Sequence, residues 1–90
     1  VLVVHAISLP PGEIGTPESR GYIDDLFLNR LEPSAHRDFA GLAGLTVSAH
    51  VCVFRDGTGT QYVPFDRRAW HAGRSCFEGR SRCNDFSIGI

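Results

Sequence analysis

The sequence predicts an α/β fold, and three patterns support this class. Residues 1–7 form an apolar run interrupted only by His5, which is typical of a strand covered on both faces in the middle of an α/β sheet. Helical spacing of apolar residues begins at Tyr22, and residues 47–63 have the pattern of a β-hairpin. Together these patterns predict strands that pack with at least one helix.

The first strand and the first helix are separated by a predicted loop. Pro10-Pro11-Gly12 ends the strand, and residues 12–21 combine Gly, Pro, Thr and Ser without periodicity, which indicates a surface loop. The helix is expected to begin at Tyr22, with two Asp residues in its first turn, and to end at Pro33. Its apolar face comprises Ile23, Leu26, Phe27 and Leu31.

Weaker signals follow in the second half of the chain. Residues 39–43 carry a short helical stripe that Gly44 interrupts, and residues 47–54 then have a strand pattern. A turn at residues 55–57 is expected to return the chain as an antiparallel strand at 61–63, with Gly57 and Gly59 able to adopt positive φ. Residues 66–85 are rich in Arg, Gly, Ser and Cys and have no clear period, which predicts a loop with at most one short helical turn.

Charge and composition disfavour several classes of protein. Ten acidic residues balance nine basic ones, all Arg, so the net charge is -1 and non-specific nucleic-acid binding is not favoured. No apolar stretch approaches the roughly twenty residues that cross a bilayer, and the first residues lack the features of a signal peptide. Cys52, Cys76 and Cys83 show no CxxC spacing, which favours a reducing compartment over a disulfide framework.

Both ends of the chain lie in apolar runs, residues 1–7 and 86–90, whereas natural termini are more often polar. We therefore expect the sequence to be an excerpt of a longer protein, with a processed product or a swapped oligomer as the alternative. A central strand that ended at Ile90 would leave an unprotected edge, so we expect these residues to fold poorly unaided.

Four histidines are candidate metal ligands. His5 lies at the C-terminal end of the first strand, where α/β sheets tend to bind ligands, and it either binds zinc or packs with one hydrogen-bond partner. His36, His50 and His71 lack HxxxH or HExxH spacing, so a site built from them requires distant segments to converge. His50 lies within a strand pattern, and we expect it to be packed or to support a site.

Other residues each allow a functional and a structural interpretation. Cys52 lies in an apolar strand, and Cys83 beside an Arg is either reactive or simply packed, so neither is a convincing nucleophile. Trp70 either offers a flat surface to a sugar or peptide, or fills the core. Arg80 and Arg82 either hold a ligand carboxylate or remain solvated.

Six segments carry a family resemblance: LVVH at 2–5, ISLPPG at 7–12, VSAH at 47–50, QYVPFD at 61–66, RAWHAG at 68–73 and RCNDFSIGI at 82–90. Together they resemble the AmpD-type 1,6-anhydro-N-acetylmuramoyl-L-alanine amidases, which belong to amidase family 2. The resemblance covers essentially the whole chain. It implies that residues 1–90 are the N-terminal part of an amidase domain whose C-terminal third is missing.

The resemblance implies a mixed central β-sheet flanked by helices, with Zn²⁺ as cofactor. In this family a His at the end of the first strand binds zinc, and His5 matches it. The other two ligands, a His and an Asp, and a Lys near them would lie beyond Ile90. The catalytic Glu of the family directly follows Ser-Ile-Gly-Ile, so no catalytic residue is assigned within the chain. Trp70 would line the substrate groove, and Arg82 would bind the carboxylate of the stem peptide.

The implied reaction is hydrolysis of the amide between N-acetylmuramic acid, expected in its 1,6-anhydro form, and L-alanine of the stem peptide. The expected partner is thus a small muropeptide, without nucleic acid or membrane, in cytoplasmic recycling of the cell wall. We expect residues 1–90 alone to be inactive. The alternatives are a non-catalytic module that binds muropeptides or peptidoglycan, and a packing fragment that binds nothing.

Two positions depart from the family pattern. Ala6 stands where the family often has Asn, and Thr46 stands where it often has Arg. Both positions serve substrate contacts in the family. Fewer polar contacts could therefore loosen specificity for the anhydro-muropeptide, although the loss of one hydrogen bond to a charged group costs only about 1.5 to 3 kcal/mol.

Overall fold

Short strands and one α-helix build the chain, which the computed structural model describes over residues 1–13 and 15–90. In chain order the elements are β1 (Leu2–Val3), α1 (Pro17–Phe27), the 3₁₀ helices η1 (Pro33–Ala35) and η2 (Arg37–Leu42), β2 (Val51–Val53), β3 (Gly59–Gln61), β4 (Cys76–Phe77), β5 (Arg80–Ser81), the 3₁₀ helix η3 (Cys83–Asp85) and β6 (Ile88–Gly89). No helix among these described residues is long and apolar enough to cross a membrane.

The strands pair in both directions. β1 and β6 are parallel, with Leu2 opposite Ile88, whereas β2 pairs with β3 and β4 with β5 in antiparallel hairpins. The backbone N–H of His50 donates to the carbonyl of Gly89 at 2.9 Å, so β6 lies between β1 and the segment that enters β2. The combination of parallel and antiparallel pairing beside a helix confirms the predicted mixed α/β fold.

Helix α1 begins five residues earlier than predicted. Thr16 caps it, because its hydroxyl oxygen accepts a hydrogen bond from the backbone N–H of Ser19 at 3.0 Å. Pro17 occupies the first turn, where its fixed φ is favourable and its missing N–H costs nothing. The prediction of a loop over residues 12–21 is therefore wrong for residues 17–21, since the Thr-Pro capping signal outweighs their lack of apolar periodicity.

The helix also ends before Pro33. Asn29 adopts a left-handed conformation with φ of 59°, and its N–H donates to the carbonyl of Leu26 at 3.2 Å. The N–H of Arg30 reaches back to the carbonyl of Asp25 at 2.6 Å, which completes a Schellman-type end. The prediction that Pro33 ends the helix is wrong because this left-handed residue has already reversed the chain.

The hydrophobic core lies between α1, η2 and β2. Its buried members are Leu9, Ile23, Leu26, Phe39 and Cys52. Phe39 is fully buried and makes an edge-to-face contact with Tyr22, at 4.9 Å between ring centroids. Burial of Ile23 and Leu26 confirms the predicted apolar face of the helix. The stripe predicted after Pro33 is the 3₁₀ helix η2, and Gly44, with φ of 74°, follows it.

The first strand differs most from its prediction. Leu2 and Val4 are 59% and 73% exposed, whereas the sequence pattern predicts a strand covered on both faces. The regular strand also spans only two residues instead of seven. The difference has a simple cause: among the described residues, β6 is the only strand that pairs with β1.

The structure contains two β-hairpins, and their strands are only two or three residues long. β2 and β3 confirm the predicted antiparallel pair, although the regular strands cover only residues 51–53 and 59–61, with Gly57 at φ of 86° in the connection. The hairpin of β4 and β5 lies inside the predicted loop 66–85, and the sequence prediction missed it. Its two-residue connection, Glu78-Gly79, has positive φ at both positions, as a type I′ turn requires. The short helical turn predicted in this region is η3.

Candidate functional site

A cavity of about 920 Å³ lies beside the end of β1 and contains two of the predicted site residues. His5 and Trp70 both line it, together with parts of α1 and β2. Both side chains are exposed, and Trp70 is 50% exposed, so it does not fill the core. An aromatic face and an imidazole therefore share one accessible cleft.

The loop that carries Trp70 is fixed to the segment before β2. The backbone N–H of Trp70 donates to the hydroxyl of Ser48 at 3.0 Å, and its carbonyl accepts from the N–H of Ser48 at 2.9 Å. The guanidinium of Arg68 lies 4.9 Å from the centre of the indole ring and is ion-paired with Asp85. These contacts hold the indole at the edge of the cavity.

His5 contacts a second histidine from this loop. Its Nε2 lies 2.9 Å from Nδ1 of His71, and Nε2 of His71 lies 3.1 Å from the hydroxyl oxygen of Ser87. The side-chain oxygen of Asn84 accepts hydrogen bonds from the backbone N–H groups of His71 and Ala72, at 3.2 and 3.0 Å. The structure therefore joins two of the four candidate histidines, which are far apart in the sequence.

Electrostatics favour a neutral His71. Burial lowers the pKa of His71, and the neighbouring imidazoles of His5 and His50 lower it further. The ring centroids of His50 and His71 are 6.1 Å apart. A neutral imidazole carries one proton, so one of its nitrogens accepts a hydrogen bond while the other donates one.

His50 is a structural residue, as predicted. It is 1% exposed, its Nε2 lies 2.7 Å from the carbonyl of Arg67, and its Nδ1 accepts a hydrogen bond from the N–H of Gly89 at 3.0 Å. Both ring nitrogens are thus used by the backbone, which leaves no lone pair for a metal. His36 lies apart from the cluster and caps η2, with its Nδ1 accepting from the N–H of Asp38 at 3.1 Å.

Arg82 does not line the cavity that contains His5 and Trp70. It precedes η3 in a left-handed conformation, with φ of 60°, and its backbone N–H donates to the carbonyl of Ser75 at 3.2 Å. Arg80, the other Arg considered for a ligand carboxylate, stacks over Phe86 at 4.2 Å. The role of Arg82 in substrate binding stays a prediction.

The three cysteines are free thiols, with Cys52 and Cys83 buried and Cys76 exposed. Burial raises the pKa of the Cys52 thiol, and the Asp24 carboxylate raises it further, so this thiol is a poor nucleophile. The burial of Cys83 fits the interpretation that it is simply packed.

The described residues supply only part of a zinc site. In the described part of the chain, no group of three or more His, Cys, Asp or Glu side chains is placed to hold a metal ion. His5 is the residue that fits as a single ligand, because it is exposed and its Nδ1 makes no hydrogen bond within residues 1–13 and 15–90. Catalytic zinc usually takes three protein ligands, so these residues supply only part of such a site.

Comparisons with known proteins show what this chain is similar to. The family model described as N-acetylmuramoyl-L-alanine amidase matches residues 1–90. The chain is 62% identical to the 1,6-anhydro-N-acetylmuramyl-L-alanine amidase AmpD of Citrobacter freundii, 61% to that of Escherichia coli K12 and 52% to that of Haemophilus influenzae. All of this chain is covered, but only 46 to 47% of each relative, so the chain spans about half the length of these curated relatives.

Two solved structures show the same similarity. A crystal structure of a selenomethionine derivative of AmpD superposes with a TM-score of 0.91 at 62% identity. The superposition covers all of this chain and 48% of the chain in that crystal structure. The solution structure of Citrobacter freundii AmpD has a TM-score of 0.55 at 62% identity, with 46% of that chain covered. Since the family model spans every residue of the sequence, the chain belongs to the N-acetylmuramoyl-L-alanine amidase family.

Proposed function

We propose that the chain is the N-terminal part of a zinc-dependent amidase that cleaves the bond between N-acetylmuramic acid and L-alanine of the stem peptide. The observation that carries this proposal is the exposed imidazole of His5 in the same cavity as the exposed Trp70, and within residues 1–13 and 15–90 the Nδ1 of His5 makes no hydrogen bond. The names of relatives at 52 to 62% identity support the same substrate, expected in the 1,6-anhydro form.

Each residue has a definite task in this proposal. His5 supplies one zinc ligand, and a His and an Asp beyond Ile90 supply the others. Zinc held by these ligands would supply a water of lowered pKa and polarisation of the scissile carbonyl. Trp70 packs against the muropeptide, and Arg82 binds a stem-peptide carboxylate from its position before η3. A Glu that directly follows Ile90 moves the proton as general base, so residues 1–90 alone are inactive.

The proposed setting is the recycling of peptidoglycan fragments in the cytoplasm. The three free cysteines are compatible with a reducing compartment. The proposed partner is a single muropeptide molecule, whose sugar and peptide portions fit the scale of a cavity of about 920 Å³.

The proposal is tested by release of stem peptide from anhydro-muropeptide, with and without zinc. Three proteins are compared: the complete reading frame, residues 1–90 alone, and the complete protein with His5→Ala. We expect zinc-dependent release only from the unaltered complete protein. Equal release by the His5→Ala variant would refute the assignment of His5.

A non-catalytic muropeptide-binding module is the second candidate, favoured by the exposed Trp70 in the cavity, since an indole can pack against a sugar or peptide without a metal. It predicts that the complete protein binds muropeptide tightly but releases no peptide with any amount of zinc. Binding measured by calorimetry, alongside the hydrolysis assay, separates the two candidates.

A further inference from the structure

The two hydrogen bonds of the Ser87 hydroxyl determine which nitrogen of His71 carries its proton. The hydroxyl of Ser87 lies 2.6 Å from the carbonyl of Cys83, which can only accept. Ser87 therefore donates its single proton there and must accept at its other contact, 3.1 Å away on Nε2 of His71. The proton of His71 is thus on Nε2.

The position of the proton on His71 also determines which nitrogen of His5 is protonated. With its proton on Nε2, a neutral His71 presents a lone pair on Nδ1, which faces Nε2 of His5 at 2.9 Å. Two lone pairs at this distance would repel, so His5 must donate from Nε2. In a neutral His5, the remaining lone pair is then on Nδ1.

The position of the His71 ring is determined by its packing against Gly89 as well as by its hydrogen bonds. A Cβ atom built on Gly89 would lie 2.5 Å from Cγ of His71, far closer than real Cβ contacts allow. The ring therefore occupies the space that the absent side chain of Gly89 leaves. Asn84 fixes the backbone on the other side through the N–H of His71, at 3.2 Å.

We propose that His71 is a positioning residue that holds Nε2 of His5 and so directs zinc to Nδ1, with Ser87 fixing the tautomer of His71 and Gly89 providing room for its ring. This rests on the proposed function, in which His5 binds zinc. Metal-binding histidines usually donate their second N–H to an acceptor that orients the ring, and loss of such a partner typically lowers metal affinity about 10- to 100-fold. Here the acceptor is a second imidazole.

The first test needs no zinc. Nitrogen NMR of the imidazoles in the complete, metal-free protein reports which ring nitrogen carries each proton. We expect Nε2 protonation for both His5 and His71. The Ser87→Ala variant should give His71 a mixture of tautomers, and the His71→Phe variant should do so for His5. Protonation of His5 on Nδ1 in the unaltered protein would overturn the proposal.

The second test measures zinc affinity by competition with a chelator. We expect His71→Phe to weaken binding about 10- to 100-fold and Ser87→Ala to weaken it less. Ser34→Ala is the matched control and should leave the zinc affinity unchanged, because the hydroxyl of Ser34 lies at the surface and donates to the carboxylate of Glu32 at 3.3 Å. If His71→Phe does not fold, the Ser87→Ala variant and the tautomer measurement still decide the matter.

The outcomes separate this inference from the proposed function. Unchanged affinity in His5→Ala would refute His5 as a ligand, whatever His71 does. Lost affinity in His5→Ala, together with unchanged affinity in both His71→Phe and Ser87→Ala, would refute the positioning role alone. A zinc-loaded structure with the metal on Nε2 of His5 would also refute it.

Discussion

His50 and His5 illustrate two opposite uses of the same side chain within one small structure. His50 is almost completely buried, and the backbone groups of Arg67 and Gly89 occupy both of its ring nitrogens. His5 is exposed just after β1, and among the described residues only the Nε2 of its ring has a hydrogen-bond partner. An imidazole is therefore available for chemistry when one ring nitrogen has no hydrogen-bond partner and is accessible, whatever the local sequence pattern.

The largest expected effect is on stability, from His50→Phe. The variant keeps a flat ring but leaves the buried N–H of Gly89 without a partner, at about 1 to 3 kcal/mol, and removes the part-buried hydrogen bond to the carbonyl of Arg67, at about 0.5 to 1.5 kcal/mol. We expect the free energy of unfolding of the complete protein to fall by roughly 1.5 to 4.5 kcal/mol in a urea titration. His36→Asn, which retains a capping acceptor, is the control, and a loss below about 1 kcal/mol in His50→Phe would contradict the prediction.

Gly89→Ala should affect both histidine regions at once. The new methyl group would displace the His71 ring, whereas the N–H of Gly89 can still donate to His50. We expect a stability loss of about 1 to 3 kcal/mol, typical of overpacking, together with weaker zinc binding. Gly21→Ala is a matched control, because it lies in α1 with open space around it and should stabilise by about 0.5 to 1 kcal/mol. Unchanged zinc affinity in Gly89→Ala would argue against the packing role of Gly89.

His5→Ala should separate the effect on folding stability from the effect on zinc binding. Because His5 is exposed, its removal should change the free energy of unfolding by less than about 1 kcal/mol, and zinc binding should be lost. Urea titration and chelator competition on the same preparation measure the two quantities. A stability loss as large as that of His50→Phe would show that the two histidines do not differ as the structure indicates.

Asp56 provides the smallest expected effect, at a fully exposed polar site. The hydroxyl and backbone N–H of Thr58 donate to its carboxylate and, with Arg20 nearby, lower the pKa of Asp56. A lowered pKa in the folded state stabilises the fold above the unfolded pKa, which is about 4, and this contribution is lost as the pH falls through the folded pKa. Asp56→Asn should therefore be slightly less stable than the unaltered protein at neutral pH, with the difference vanishing in acid.

Urea titrations at neutral and acidic pH check this difference, and added salt should reduce it because the groups are exposed. A difference that grew on acidification would have the wrong sign. Compared with the two histidines, this site should show that exposed hydrogen bonds tune stability only weakly.

Local signals in the sequence predicted much of the fold. The apolar face with Ile23 and Leu26, the β2–β3 hairpin and the buried state of His50 all follow from residue patterns and are confirmed. The start of α1 was missed, although Thr16-Pro17 is a recognisable capping signal. The β4–β5 hairpin was also missed, because its strands are too short to show any periodicity.

The candidate site was predictable only in part. His5 and Trp70 were identified, and the structure places them in one cavity. From the sequence, His71 is only a weak candidate because its spacing matches no metal motif, and no sequence pattern indicates a role for Ser87 or Gly89. One signal existed, the adjacency of His71 to Trp70 in the loop, but nothing in a single sequence pairs His71 with a residue 66 positions away.

By itself, the sequence determined the α/β class, the helical face that forms the core and the family to which the chain belongs, because these depend on local spacing and on motifs read along the chain. The tertiary structure brings His5, His71 and Ser87 into one hydrogen-bonded series. It also places both ring nitrogens of His50 in hydrogen bonds with backbone groups. The physical reason is that donor and acceptor roles depend on which partners meet in space. These residues are brought together by the pairing of β1 with β6 and by the space that Gly89 leaves for the ring of His71.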